Sequence, residues 1–241
     1  MRTPGAVLSV IVGMCGFLVA CAGPSYWSLL DITLAGVQRP PEAEQRFGEV
    51  QLHTLETDDQ TTYTMSDGLV RATVVPAYNR IDLTMENLST DSIRILWDQG
   101  ALVDIDRQSR RIVHGGVKYL EIQDAQTPSV VVGGSLFSDA IVPVNNIEYL
   151  PTLATWITHS LLPVTETKVK GEEGLIAVRE ASKAYLSRPV RLLLPLEVGG
   201  RRFEYVFEFR VNSFDVWRKR TRETDAGTFV TAREVVETVT E

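Results

Sequence analysis

Residues 190–211 read VRLLLPLEVGGRRFEYVFEFRV, and this stretch decides the fold of the chain. Residues 190–198 are almost continuously apolar, and Gly199-Gly200 separates them from a run in which apolar and polar side chains largely alternate. Two glycines between such runs are typical of a β-hairpin turn. The apolar row of the second run comprises Phe203, Tyr205, Phe207, Phe209 and Val211. We expect this row to supply much of the core, at about 1.5–3 kcal/mol for each fully buried side chain.

The same alternation extends backwards along the chain. Residues 70–74, 81–85 and 93–97 place apolar side chains at every second position, and turn-forming residues separate the three runs. Such runs are typical of strands with one buried face. Shorter and less regular runs follow at residues 102–105, 112–122, 130–132 and 141–144. Short strands joined by short turns predict an antiparallel meander or Greek key.

The predicted fold class is therefore mainly β, an antiparallel β-sandwich of immunoglobulin-like style, with a closed barrel as the alternative. The similarity to immunoglobulin domains is architectural only, because their characteristic cysteine and tryptophan positions are missing. One to three short helices are expected, at residues 150–161, at residues 175–186 and in the C-terminal tail. Neither architecture implies a function.

The chain divides into a leader, a spacer, a body and a tail. Residues 22–64 contain three prolines and little apolar periodicity, which predicts a tether with one early strand at residues 50–55. Within it, the apolar residues near the lipid are interpreted as packing onto the body in preference to contacting a membrane interface; they are Tyr26, Trp27, Leu29 and Leu30. The sandwich is expected at residues 65–217. Residues 218–241 form a charged tail with a basic run at residues 218–222 and a capping-box pattern beginning at Thr231.

The first twenty residues have the layout of a secretory signal peptide. Arg2 precedes an apolar run that ends in Leu18-Val19-Ala20-Cys21. These four residues resemble the lipobox of bacterial lipoproteins. The resemblance implies cleavage between Ala20 and Cys21 and a lipid on the Cys21 sulfur, which would hold the protein on a membrane. The resemblance to enterobacterial lipoproteins further implies that Ala22, in place of aspartate, favours the outer membrane over the inner one, with the body in the periplasm or at the surface. An uncleaved anchor or a secreted protein is the alternative.

Composition restricts the partners. The chain has 24 basic and 31 acidic residues, and loss of Arg2 with the leader leaves 23 against 31, a net charge of -8. This balance argues against nucleic acid as a partner and against electrostatic attachment to anionic lipid. Both cysteines are accounted for, since Cys15 leaves with the leader and Cys21 would be lipidated. No thiol remains for a disulfide or a metal.

Few residues suggest chemistry. The three histidines are widely spaced, and no cofactor is expected. Asp98, Asp104 and Asp106 are candidate calcium ligands, although apolar residues interrupt them and solvated carboxylates are the plainer interpretation. His114-Gly115-Gly116 is interpreted as a turn in preference to an anion-binding loop. Ser135 follows two glycines but lacks the spacing of a nucleophile elbow.

Two functions from different classes remain. The first is a non-enzymatic binding or assembly lipoprotein that offers a strand edge or an apolar patch to another envelope protein. The second is a surface-anchored hydrolase of glycan or peptide, with Asp98, Asp104 or Glu121 as acid and base. The missing catalytic set favours the first.

Overall fold

The computed structural model describes residues 25–57, 60–223 and 229–241. The predicted leader at residues 1–20 and the lipid-bearing Cys21 lie outside the described residues. Strands dominate, and two α-helices interrupt them. In chain order the elements are β1 (Tyr26–Gln38), α1 (Pro41–Phe47), β2 (Gln51–Glu56), β3 (Thr61–Ser66), β4 (Val70–Pro76), β5 (Ile81–Asn87), β6 (Ile93–Ile95), β7 (Ala101–Val103), β8 (Ser109–His114), β9 (Ser129–Val131), β10 (Leu136–Pro143), β11 (Ile147–Leu150), β12 (Thr155–Thr158), β13 (Thr165–Thr167), α2 (Gly171–Lys183), β14 (Pro189–Val198), β15 (Arg201–Glu223) and β16 (Phe229–Thr240).

Fourteen strands form one sheet that curls into a half-barrel, and β11 pairs only with β12. The path through the large sheet is β13-β1-β15-β14-β7-β8-β10-β5-β4-β3-β2, with β16 beside β15 and with β6 and β9 branching from β14. Every neighbouring pair on this path is antiparallel. The prediction of a mainly β, antiparallel fold is confirmed. An immunoglobulin-like sandwich is not confirmed, because the strands follow one curled path.

The predicted hairpin lies at the centre of this sheet. β14 and β15 pair from Val198↔Arg201 to Pro189↔Arg210, and the two turn glycines, Gly199 and Gly200, have φ values of 55° and 72°. Glycine adopts this left-handed conformation without the strain that other residues incur. The aromatic row of β15 is buried in the main core, as expected from the alternation.

The buried hydrophobic positions of β15 change from odd-numbered to even-numbered residues at Asn212. Its register with β1 skips this residue, since Ile32 is opposite Val211 and Asp31 is opposite Ser213. Beyond this bulge the buried residues are Phe214 and Val216, on which α2 packs through Val178. The bulge thus extends the buried face of β15 under the helix.

The predicted tether is wrong from Tyr26 onwards. β1 pairs with β15 at twelve positions, and Trp27 is only 8% exposed, so the expectation that this residue packs onto the body is confirmed. The register shift at Leu34/Gly36 contributes to the error, because the extra residue of this bulge, Ala35, lies in β1 and breaks the period-two pattern of its sequence. The early strand predicted at residues 50–55 is confirmed as β2.

Two of the three predicted helices are strands. Residues 150–161 form the turn and second strand of the β11–β12 hairpin, where Thr155, Ile157 and Thr158 are β-branched and favour a strand. The tail is β16, which pairs with β15 at eleven positions, so the boundary predicted at residue 218 falls inside β15. The helix at residues 175–186 is confirmed as α2. Neither described helix has the length and apolar character needed to cross a membrane.

Candidate functional site

Asp104 and Asp106 lie in the turn between β7 and β8. Asp104 Oδ1 accepts hydrogen bonds from the backbone N–H groups of Asp106 at 3.0 Å and Gln108 at 2.8 Å, and Asp104 Oδ2 accepts one from Arg110 Nε at 2.9 Å. Asp106 is exposed and lies 3.6 Å from Arg188. Asp104 therefore shapes the turn through the short-range hydrogen bonds that aspartate commonly makes.

Asp98 and Glu121 have separate partners. Asp98 lies in a 3-10 helix at the other end of β7, where it accepts hydrogen bonds from Arg111 Nη2 at 3.2 Å and from the backbone N–H of Gln126 at 2.9 Å. Glu121 is exposed and pairs with Lys118 at 3.4 Å. Each of the three candidate acids is thus bound to its own basic residue: Asp98 to Arg111, Asp104 to Arg110 and Glu121 to Lys118. Among the described residues, no group of three histidine, cysteine, aspartate or glutamate side chains is arranged to hold a metal.

A histidine–aspartate pair lies at the junction of β8 and β10. His114 Nδ1 is 2.8 Å from Asp139 Oδ2, and Asp139 Oδ1 accepts hydrogen bonds from the N–H groups of Gly115 at 2.7 Å and Ala140 at 2.8 Å. The His114 ring stacks on Trp97 with a centroid distance of 4.8 Å. His114-Gly115-Gly116 ends a strand in a turn, as predicted.

His114 borders an open cavity of about 480 Å³, which Arg80, Lys118 and Thr158 also line. The hydroxyl groups in its lining are those of Tyr119 and Thr158, whose oxygen atoms are 3.4 Å apart. The hydrogen bonds of Asp139 orient the imidazole and hold the glycine turn. Sequence reasoning missed the pairing because 25 residues separate His114 from Asp139, and only the register of β8 with β10 brings them together.

The feature of the structure that is best suited to binding a partner is the open edge of β2. β2 is the last strand of the sheet path, and all six of its residues are exposed, including Leu52 at 42% and Leu55 at 63%. It pairs with β3 from Gln51↔Ser66 to Glu56↔Thr61 without a register shift. Its opposite side carries no strand among the described parts of the chain. A straight row of backbone N–H and C=O groups is therefore available there.

Edge strands in natural proteins are commonly protected by lysine, proline, a bulge or a covering element. β2 reads QLHTLE, which contains neither lysine nor proline and carries one charged side chain, Glu56. The other end of the sheet path is different. β13 has only three residues, and Pro163 precedes it while Lys168 and Lys170 follow it. The path is thus protected at its β13 end and open at its β2 end, while β16, off the path, pairs with β15 alone among the described strands.

The strand beneath this edge is held firmly. Tyr63 on β3 is buried, and its hydroxyl donates to the carbonyl oxygen of Ile32 on β1 at 3.3 Å, which ties β3 across the mouth of the half-barrel. Burial, together with the negative charges of Asp31 and Glu56, raises the pKa of Tyr63 to about 12. The phenol therefore remains a neutral donor at physiological pH, and β2 is supported by a fixed neighbour.

A second exposed apolar surface lies on the β11–β12 hairpin. The Trp156 ring contacts the rings of Tyr119 and Tyr149 at centroid distances of 5.6 and 5.2 Å, and the neighbouring Leu120 is 85% exposed. Sequence reasoning missed this surface because it expected a helix there.

Comparison of the chain with models of protein families, with curated proteins and with solved structures found no match.

Proposed function

We propose that this protein is a lipid-anchored lipoprotein of the bacterial envelope and that it acts as a non-enzymatic binding module. In this proposal the lipid on Cys21 holds it on the outer membrane, and another envelope protein adds an extended segment to β2. The observation that carries the proposal is the unprotected edge of β2, whose six residues are all exposed. The lipobox residues 18–21 support the anchor.

The edge fits an extended peptide in particular. Alternate residues of an edge strand direct their backbone N–H and C=O groups outward, so a strand of six residues offers about three such positions. Each hydrogen bond contributes about 0.5–1.5 kcal/mol net. The exposed side chains of Leu52 and Leu55 lie on opposite faces of β2 and would contact alternate residues of the added strand.

The non-enzymatic character is supported by the roles of the candidate acids. Asp98 and Asp104 are bound to arginines and to backbone N–H groups, and Glu121 is paired with a lysine at the surface. A glycosidase needs two carboxyl groups that face each other across the scissile bond. These three residues do not provide that arrangement.

The anchor is tested by mass spectrometry of the processed N-terminal peptide. We expect a peptide that begins at Cys21 and carries diacylglycerol on sulfur and an acyl chain on the amino group. The Cys21→Ala variant should keep its leader or leave the membrane fraction. An unmodified thiol at position 21 of the mature protein would overturn the anchor.

The edge is tested by site-specific photo-crosslinking in intact envelopes. A photoreactive residue is placed at His53 or Leu55, which share one face of β2, and at Leu120 as a control on the other exposed apolar surface. We expect adducts from the two β2 positions, and we expect Leu52→Lys to abolish them, because lysine blocks edge pairing.

The position of the crosslinks in the partner gives the sharper readout. Residues 53 and 55 are two apart on one strand face, so strand addition requires crosslinks to residues two apart in the partner. Crosslinks without this spacing, or adducts from Leu120 alone, would contradict strand addition. An adduct of twice the chain mass would show that the added strand comes from a second copy.

A further inference from the structure

The hairpin of β15 and β16 projects beyond the rest of the sheet. The first residue of β1, Tyr26, is opposite Arg218, whereas the pairing of β15 with β16 continues through Glu223↔Phe229. Five residues of β15 therefore extend past β1, a length of about 17 Å at 3.3 Å per residue. We call residues 219–223 and 229–233 the projecting hairpin.

The anchored end of the chain leaves the sheet in the same direction. Because β1 and β15 are antiparallel, the residues before Tyr26 and the residues after Arg218 emerge at one end. Five peptide units join Cys21 to Tyr26, which limits their separation to about 18 Å for any conformation. Ser25 is already fixed, since its N–H donates to the carbonyl oxygen of Thr167 at 2.7 Å. The projecting hairpin is therefore about as long as the whole connection to the lipid.

The charge of this end differs from that of the chain. Residues 218–234 contain five basic and three acidic residues, a net charge of +2 in a mature chain whose 23 basic and 31 acidic residues give -8. Lys219 and Arg233 are directly opposite each other on neighbouring strands, and both are exposed. Like charges at such a position repel. Among the described residues, neither forms an ion pair within 4.0 Å; the described acidic residue that lines the same cavity as both of them is Glu166.

Two further cations lie at the same end. Lys168 and Lys170 follow β13 and are exposed, as are the neighbouring Glu166, Glu172 and Glu173, so the positive charge of this end comes from the hairpin. The carbonyl oxygen of Lys168 accepts a hydrogen bond from Ser25 Oγ at 3.0 Å. Trp27 lies beneath Arg233, whose guanidinium carbon is 5.9 Å from the ring centroid. Basic side chains next to a membrane anchor attract anionic headgroups over about one Debye length.

We infer that the projecting hairpin rests on the headgroups of the anionic phospholipid bilayer that holds the lipid on Cys21. This inference depends on the anchor in the proposed function. It gives the basic run at residues 218–222 a role that the overall acidic charge had argued against. It also fixes the orientation of the body, because the hairpin and the lipid together give two points of contact with the membrane.

The test uses the full lipidated protein in vesicles of phosphatidylcholine and phosphatidylglycerol. The mature chain has no cysteine apart from Cys21, so an introduced Thr221→Cys can be labelled alone with a fluorophore. Gln51→Cys, at the start of β2 and the opposite end of the sheet, is the matched control. We expect headgroup nitroxide lipids to quench the label at position 221 and to leave the label at position 51 unquenched.

Charge is tested on the same labelled protein. Lys219→Glu with Arg233→Glu should reduce the quenching at position 221, and Arg201→Glu with Arg202→Glu, an equal charge change at the opposite end of β15, should leave it unchanged. Equal quenching at positions 221 and 51, or none at 221, would overturn the inference. Mass spectrometry of the same preparation separates the failures. If Cys21 carries lipid, the anchor stands and the inference alone fails; if it carries none, both fail.

Discussion

Arg39 and Asp67 form an ion pair inside the protein, and their side chains are 4% and 0% exposed. Asp67 Oδ2 also accepts a hydrogen bond from the Tyr205 hydroxyl at 2.8 Å, while Oδ1 accepts from the N–H groups of Leu69 at 2.8 Å and Val70 at 2.9 Å. One carboxylate thus joins the chain after β1, the turn before β4 and the central strand β15.

Removal of this carboxylate should be costly. Asp67→Ala leaves Arg39 charged, buried and unpaired, and we expect the free energy of unfolding to fall by about 3–5 kcal/mol. Glu86→Ala is the matched control, because the Arg71–Glu86 pair is exposed, and its loss should cost at most about 1 kcal/mol. Urea denaturation followed by circular dichroism measures both. Equal losses in the two variants would contradict the assigned role.

Glu208 should make stability depend on pH in the acid range. Burial pushes the pKa of Glu208 up, but hydrogen bonds from Arg191 at 3.1 Å and Arg210 at 2.8 Å outweigh it and hold the pKa below its usual value. A carboxyl group with a lowered pKa stabilises the folded state fully above its unfolded pKa of about 4.3, and this contribution is lost as the pH falls through the folded pKa.

The Glu208→Gln variant isolates this contribution. We expect it to be less stable than the wild type at pH 7 and to approach the wild type as the pH falls from 4 to 3. Urea denaturation at a series of pH values gives the difference in free energy of unfolding. A difference that stays constant from pH 7 to pH 3 would contradict the lowered pKa.

Gly174 is required by close packing. A Cβ at this position in α2 would clash with the carbonyl oxygen of Val169 and approach the Tyr26 ring at 3.2 Å. Gly174→Ala should therefore destabilise the protein by about 1–3 kcal/mol, although alanine is the better helix former. Gly36→Ala, at a position with open space, should change the stability by less than about 1 kcal/mol. Thermal unfolding measures the stability of both variants. Equal losses of stability in the two would contradict the importance of the close contact between Gly174 and Val169.

The acids proposed for a hydrolase should be dispensable for binding. The combined variant Asp98→Asn, Asp104→Asn and Glu121→Gln should fold and should give the same crosslinks from position 55 as the wild type. Circular dichroism checks the fold. Loss of envelope function with the fold and the crosslinks intact would favour the enzymatic alternative.

The parts of the fold that were predictable are those specified by neighbouring residues. The β14–β15 hairpin follows from its alternation and from Gly199-Gly200, and α2 follows from its apolar spacing. β1 was missed in part because a bulge at Ala35 disrupts the alternation that identifies a strand. A bulge cannot be predicted from the residues around it alone, because it depends on the pairing with a partner strand from a distant part of the chain.

The candidate site depends on the order of strands in the sheet. Residues 50–55 were predicted as a strand, but the exposure of its edge follows from its place at the end of the path. The same applies to the proximity of the basic run to the anchored end, which follows from the register Tyr26↔Arg218. Both features arise from pairings between segments far apart in sequence, and propensity alone carries no information about them.

The twelve pairs between β1 and β15 also constrain how the chain can fold during its synthesis. β1 is synthesised before residues 39–205, and its partner, residues 206–218, is synthesised after them. Contacts of such high sequence separation form slowly, because the intervening loop must close before they stabilise the protein. β1 therefore has no β15 beside it until all the intervening residues have left the ribosome, and its backbone N–H and C=O groups on that side stay unpaired with β15 during that interval.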